Sequence, residues 1–540
     1  MLHLNYEGIQ DKAGWDAAGV VLPEFDWREM CAATAQNPTW VHFGAGNIFR
    51  GFIAQLQQSL LNQGLVKSGI VAADTFDFDI IDKIYMPFDS MTVMVSLLPD
   101  GSMKKEIVAS IAYGLRAGNA FDEDMERLRA IFRNPSLQMV SFTITEKGYA
   151  LKNMQGQFFP FVEKDFENGP GACSHAMSML TALLLERFRA CGTPIAVVSM
   201  DNCSHNGEKL RASVMTVVDK WLENGFVTQE FAAWIRDEEK VSFPWSMIDK
   251  ITPRPAKVVE DVLDAAGIAD MAPIVTSKNT FIAPFVNAEQ PQYLVVEDRF
   301  PNGRPPLEKA GVYMTDRDTV NNTEKMKVTT CLNPLHTALA VYGCLLGFES
   351  IAAEMQDPEL KALVEKIGYA EGIPVVVDLK IFSPIDFIHE VVNQRLPNPF
   401  IPDTPQRIAT DTSQKIVIRF GETIKSYMAR SDLNAADLIY IPLAIAGWLR
   451  YLLAVDDVGA EMSCSSDPML ETLQHQLSSV RLGQPESASD AVLAPILSNQ
   501  ALFAVDLYQA GLAEKVTDMF RQMLTGSGAV RKTLKKYLVH

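Results

Sequence analysis

The sequence contains no uninterrupted run of roughly twenty apolar residues, the length a membrane-spanning helix requires. Its most apolar segment, ADLIYIPLAIAGWLRYLLAV, is interrupted by Pro442 and Arg450, so a buried helix is the expected structure. Positive charge is in deficit: 48 Lys and Arg stand against 66 Asp and Glu, a formal net charge of −18. A chain this acidic offers no continuous phosphate-binding surface, which argues against nucleic acid and against anionic membranes as partners. Cysteine is sparse and unpatterned, with seven residues in no secreted framework, as suits reduced thiols. Two Cys-Ser-His tripeptides, Cys173–His175 and Cys203–His205, are the only echo of a metal site, and their spacing is unlike the usual zinc pairings, so no metal is expected. The opening stretch MLHLNYEGIQDKAGWD has no apolar centre and reads as neither a signal nor a transit peptide; a cytoplasmic protein is expected.

What is present points to two domains, the natural division of a 540-residue chain. PTWVHFGAGNIFRGFIAQLQQSLLNQG reads as a strand over Trp40–Phe43, a glycine turn, and a helix with Phe52, Ile53, Leu56, Leu60 and Leu61 on one stripe. SGIVAADTFD follows, an apolar run ending in Asp74. Strand, glycine turn, helix, strand and acid is the order of a dinucleotide-binding unit. Gly44 and Gly46 let a backbone approach a pyrophosphate, although Phe49 stands where the third glycine of the fingerprint belongs. Asp74 is placed to accept hydrogen bonds from a ribose and to repel a 2′-phosphate, which favours NAD over NADP. A plain strand-to-helix turn and a solvated acid fit the same residues.

Further strand-like runs at MTVMVSLL, LQMVSFTIT and PIAVVSM, with helical patterns over 119–132 and 175–190 between them, indicate a mainly parallel sheet covered by helices. After about residue 290 the Pro- and Gly-rich RFPNGRPPLEKAG gives way to helical periodicity. The expected fold is therefore an α/β Rossmann-type dinucleotide-binding domain over 1–290 followed by a mostly α-helical domain over 291–540.

The stretch KMKVTTCLNPLH, residues 325–336, gathers the groups that alcohol oxidation by hydride transfer needs: a base for the hydroxyl proton and donors for the developing alkoxide. A desolvated lysine can serve as base, so Lys327, Asn333 and His336 are candidates. On one unbroken helix Lys327 would lie about 180° from His336. Pro334 removes the objection, because it cannot donate a helical hydrogen bond; Asn333 is expected as N-cap and Pro334 as the first helical residue. A capped helix start with a surface lysine and a core histidine is the competing reading.

Taken in order, GAGNIFRG, SFTITEKGY, VVSMDNCSHNG, FPWSMIDKITP, VVEDRFPNGRPPLEKAG and then Lys, Asn and His ahead of an apolar helix, the chain resembles the polyol-specific long-chain dehydrogenases, the mannitol dehydrogenase family. The resemblance implies a Rossmann domain before a helical one and metal-independent, NAD-dependent catalysis. It implies Lys327 as acid/base, Asn333 and His336 at the substrate oxygen, and Asn202 as a second oxyanion donor. Glu146 and Asp249 would lie near the substrate, Lys415 would contact it, and Gly44, Gly46, Asn47, Ile48, Phe49, Arg50 and Asp74 would form the cofactor site. The family usually has four residues between the lysine and the asparagine; here there are five, VTTCL, which leaves Lys325 as an alternative base. Relatives often carry a histidine before Arg50, where Asn47-Ile48-Phe49 stands here.

The expected reaction is reversible hydride transfer between NAD(H) and a sugar acid or polyol. The resemblance extends to fructuronate reductases and makes D-fructuronate and D-mannonate the foremost pair; the extra length and the local cations Arg254, Lys257 and Lys415 favour a carboxylated substrate. A neutral-polyol dehydrogenase such as a mannitol 2-dehydrogenase, or a nucleotide-binding protein without catalysis, are the alternatives. Association is expected to be as a monomer or a small homo-oligomer.

Overall fold

The structure, a computed structural model, describes residues 1–538. It divides into two compact units: Met1–Leu98 with Ser102–Asn321, and a second that begins its main run at Asn322.

Six strands form the central sheet of the first unit: β1 (Trp40–Phe43), β2 (Ile70–Asp74), β3 (Ile111–Arg116), β4 (Met139–Phe142), β5 (Ile195–Ser199) and β6 (Val241–Ser242). Their order is β3-β2-β1-β4-β5-β6, and every pairing is parallel. β1, β2, β4 and β5 are buried along their whole length, the pattern of strands covered on both faces. Strand alternation sorts their side chains. Val41 and Phe43 join one core with Leu128, Leu183 and Val214 from the helices Asp122–Arg133, Ala176–Ala190 and Asn206–Glu223. Trp40 joins the opposite core with Leu56 and Leu60 of the helix Ala54–Asn62.

Two expectations change here. The run Thr92–Leu97 is a strand, but it forms an antiparallel hairpin with Met103–Val108 in a separate four-stranded sheet, completed by Val20–Val21 and Phe285–Glu289. The polar turn between the two hairpin strands is too short for the crossover that a parallel neighbour needs. The boundary also falls later than residue 290. Tyr293–Glu297 pairs with Ser246–Asp249 on one side and Tyr313–Thr315 on the other, so sheet hydrogen bonds hold this segment in the first unit.

Apart from isolated bridges, the described part of the second unit consists of helices and loops without a strand. At its centre Asn333–Leu346 is buried over most of its length and packs on Tyr440–Tyr451, where the Tyr342 hydroxyl donates to the Leu443 carbonyl at 2.7 Å. The latter helix is the apolar segment noted above. Its Arg450 is fully buried and donates to the carbonyls of Val455, Asp456 and Met523. Among the described residues no helix is long and apolar enough to cross a membrane.

Candidate active site

In the first unit the strand order reverses between β1 and β4, and open α/β sheets bind ligands at the carboxyl ends of the strands beside such a reversal. The glycine turn lies there. Gly44 has φ +102°, and a Cβ on it would stand 2.2 Å from the Thr143 carbonyl oxygen, so only glycine fits. A Cβ on Gly46 would meet nothing within 4 Å, which leaves open space against the turn. Asp74, at the end of β2, accepts from the Phe76 and Asp77 N–H groups at 2.8 Å through Oδ1 and from the Ala45 N–H at 3.0 Å through Oδ2. Burial pushes its carboxyl up, against the pull of these three donors. With about four lone-pair directions on a carboxylate, one remains for a ribose hydroxyl. The open turn and this acid fit a dinucleotide.

Phe49 and Arg50, the next two residues of the turn expected at the cofactor, have buried side chains. Phe49 is fully buried and stacks on His42 with ring centroids 4.0 Å apart. Arg50 is also buried, donating to the Ala283 carbonyl at 2.8 Å and to the Asn47 side chain at 2.9 Å. Both belong to the π turn Phe49–Ile53 that begins the helix, all five residues of which are buried. Asn47 accepts from Arg50, and Ile48 packs on the core at the turn's edge.

The loops after β4 and β5 are joined by Asp201, which neighbours Asn202 and carries no motif signal of its own. Its carboxylate accepts from the Ile144 and Thr145 N–H groups, both at 2.9 Å, and from the Tyr149 hydroxyl at 2.6 Å. Thr145 is held at φ +66°, a conformation a β-branched residue adopts only when its surroundings enforce it. Glu146, the first residue of the short helix Glu146–Tyr149, and exposed Asn202 thereby follow the two joined segments, with Glu146 ion-paired to Lys209. Asp249 is buried at the end of its strand, whose first residue, Ser246, donates to the Ser199 carbonyl at 2.6 Å.

The Cys-Ser-His tripeptides have ordinary structural employment. His175 caps its helix, Nδ1 accepting from the Met177 N–H at 3.1 Å while Nε2 contacts the Ala150 carbonyl at 3.2 Å. His205 packs on Trp245 and bonds Asn321. Among the described residues no group of three or more His, Cys, Asp or Glu is arranged to hold a metal ion.

In the second unit Lys327 opens a π turn, Lys327–Cys331, closed by the Leu332 N–H donating to the Lys327 carbonyl at 3.2 Å. The break predicted from Pro334 is present but one residue early: Leu332 is the cap, with φ −130° and ψ −63°, and Asn333 and Pro334 are the first two helical residues. Proline is tolerated there because the first N–H groups of a helix have no intrahelical acceptor. The Asn333 side-chain amide is consequently not used for capping. The fifth residue between Lys327 and Asn333 is absorbed by the π turn, which holds one residue more than an α-helical turn. Lys327 is 3% exposed, whereas Lys325 is exposed on the preceding helix.

His336 follows in the first turn of the central helix. Its Nε2 is buried, makes no hydrogen bond, and lies 3.5 Å from Asp403 Oδ2. Burial pushes the imidazole down to about 4, against the pull of Asp403 and with the help of Arg419, Arg407 and Arg395, so it is neutral near pH 7. Of the expected substrate-contacting cations, Lys415 donates to the Thr410 and Ile408 carbonyls, and Lys257 pairs with Asp261 at 2.5 Å. Arg254 stacks over Phe281.

The chain matches the mannitol dehydrogenase Rossmann domain over residues 38–309 and the mannitol dehydrogenase C-terminal domain over 319–524. It is 53% identical to the D-mannonate oxidoreductase of Thermotoga maritima over 537 residues, covering 99% of both chains. Against the mannitol 2-dehydrogenase of Emericella nidulans it is 29% identical, covering 92% of each. Among solved structures, a D-sorbitol dehydrogenase superposes with a TM-score of 0.77 at 25% identity, over 96% of this chain and 98% of that one. The Pseudomonas fluorescens mannitol 2-dehydrogenase, in ternary complex with NAD and D-mannitol, superposes with a TM-score of 0.66 at 25% identity over 99% of both. With a parallel dinucleotide-type sheet, a glycine turn at its switch point and a helical second unit, the fold is that of a dehydrogenase acting on CH–OH groups. The chain belongs to the mannitol dehydrogenase family.

Proposed function

We propose that this protein transfers hydride between NAD(H) and a sugar acid, reducing D-fructuronate to D-mannonate without a metal, with Lys327 as acid/base. The observation that carries the reading is the pairing of a buried lysine with an asparagine amide free of capping duty on the two sides of one helix break. A lysine serves as a base near neutral pH only where it is desolvated, a condition that Lys327 meets and exposed Lys325 does not. NAD⁺ supplies the hydride acceptor for the substrate C–H bond. Lys327 takes the hydroxyl proton in oxidation and returns it in reduction, Asn333 donates to the alkoxide, and neutral His336 orients the substrate without adding charge. Asn202 is assigned as a further oxyanion donor, with Asp249 and Glu146 beside the substrate. Lys415 would serve the substrate from its carbonyl-bound position. Gly44, Gly46 and Asp74 are assigned to the cofactor, Asp74 selecting NAD by repelling a 2′-phosphate. Full-length identity of 53% to a D-mannonate oxidoreductase supports the acid over a neutral polyol.

The test is parallel turnover of fructuronate, tagaturonate and fructose with NADH. Fructuronate is expected to be fastest, and faster turnover of fructose refutes the substrate. Lys327→Ala is expected to lower kcat by about 10²–10⁴-fold. Full activity in that variant would move the role to Lys325, and NADH binding by the wild type without turnover on any of the three would refute catalysis.

A further inference from the structure

The second unit contains a cation whose charge no acidic group among the described residues offsets. Arg419 lies in the π turn Val417–Gly421, which packs against the π turn of Lys327. Its Nη1 donates to the Thr337 hydroxyl at 2.5 Å, Thr337 being the residue after His336. That hydroxyl is fixed in turn by donating to the Asn333 carbonyl at 3.0 Å. The neighbouring cations are committed: Arg407 to Asp403, and Lys415 to two backbone carbonyls. Arg419 has a neutral hydroxyl and, among the described residues, no carboxylate, and burial pushes its guanidinium down to about 10. Its charge reaches both His336 and Lys415. A partly buried, unpaired guanidinium is unfavourable in the free protein, which is the expected state of a group that awaits an anion.

We infer that Arg419 receives the carboxylate of the substrate and is the residue that selects a sugar acid over a neutral polyol. The inference rests on the sugar-acid reading above. The guanidinium presents a planar fork that matches a carboxylate through two parallel N–H···O bonds, and the Thr337 bond occupies only Nη1, leaving donors for that fork. Thr337 and Asn333 connect the fork to the helix start that carries the proposed oxyanion donor, so the carboxylate and the reacting carbon would be located from one rigid element.

The test compares wild type with Arg419→Met, which keeps the length of the side chain, and Arg419→Gln, which keeps a donor for Thr337. In both variants the ratio of kcat/KM for fructuronate to that for fructose is expected to fall by at least about 30-fold, the loss typical of removing one partner from a charged hydrogen-bonded pair. D-mannonate is expected to raise the thermal midpoint of the wild type more than D-mannitol does, and this difference is expected to disappear in the variants. The midpoint of ligand-free Arg419→Met is expected to equal or exceed that of the wild type. A retained ratio and a retained mannonate effect in either folded variant overturn the assignment of Arg419 while leaving the sugar-acid reading intact. A wild type that prefers fructose overturns the sugar-acid reading itself.

Discussion

Replacing Glu354 by glutamine is expected to flatten the pH dependence of stability. Glu354 is completely buried at the end of the short helix Ile351–Glu354, and neither carboxyl oxygen has a hydrogen-bond partner. Oε1 instead lies over Gly343, so closely that a Cβ at that position would stand 1.8 Å away. Burial, aided by the nearby charge of Asp357, pushes this carboxyl from 4.5 up to about 9. Between those values the folded chain keeps the proton and the unfolded chain has lost it. The unfolded state then binds fewer protons, so stability falls as pH rises, by about 1.4 kcal/mol per pH unit from this group alone. Below the unfolded value both states are protonated and the cost vanishes; above the folded value both are ionised and the loss stops growing. Glutamine fills the same space and carries no titrating proton. Urea unfolding at about pH 5.5 and about pH 8 is the assay, and across that interval the variant is expected to gain about 3 kcal/mol on the wild type. Parallel changes in the two proteins would refute the reasoning, because a carboxylate ionised in the fold, or reached by water, contributes no such slope.

Gly44→Ala combines φ +102° with a 2.2 Å approach to the Thr143 carbonyl; a loss of about 1–3 kcal/mol in stability and at least a ten-fold weaker NADH complex are expected, read by urea unfolding and by quenching of protein fluorescence. Asp201→Asn replaces an acceptor of two N–H groups and the Tyr149 hydroxyl by a group that accepts at one oxygen only. It is expected to cost about 1–3 kcal/mol and to lower kcat/KM, while an unchanged thermal midpoint would show that the loops hold without it.

Much of this protein can be read from short segments because the relevant forces are local or periodic. Continuous apolar runs at Trp40–Phe43, Ile70–Asp74 and Ile195–Ser199 signal strands buried on both faces wherever they pair, and Pro334 can start a helix but not continue one. Pairing is different, since partner strands are chosen over long sequence separations. The hairpin at Thr92–Leu97 and the strand Tyr293–Glu297 therefore looked like a member of the main sheet and the start of a second domain, until their neighbours were known. The direction of a side chain around a π turn is equally invisible to a reading based on α-helical spacing, and the burial of Phe49 and Arg50 is known only from the fold.

The candidate site divides along the same line. The sequence by itself determined the residue types: a lysine, an asparagine and a histidine around a proline break, and two glycines and an acid around a strand end. Tertiary structure decided which of them are desolvated and which are already committed. It buried Lys327 and exposed Lys325, released the Asn333 amide by moving the cap to Leu332, occupied Lys415 and Lys257, and left Arg419 without a counter-charge among the described residues. Burial and pairing are properties of three-dimensional neighbours, and they set the cost of each charge and therefore the chemistry each side chain can perform.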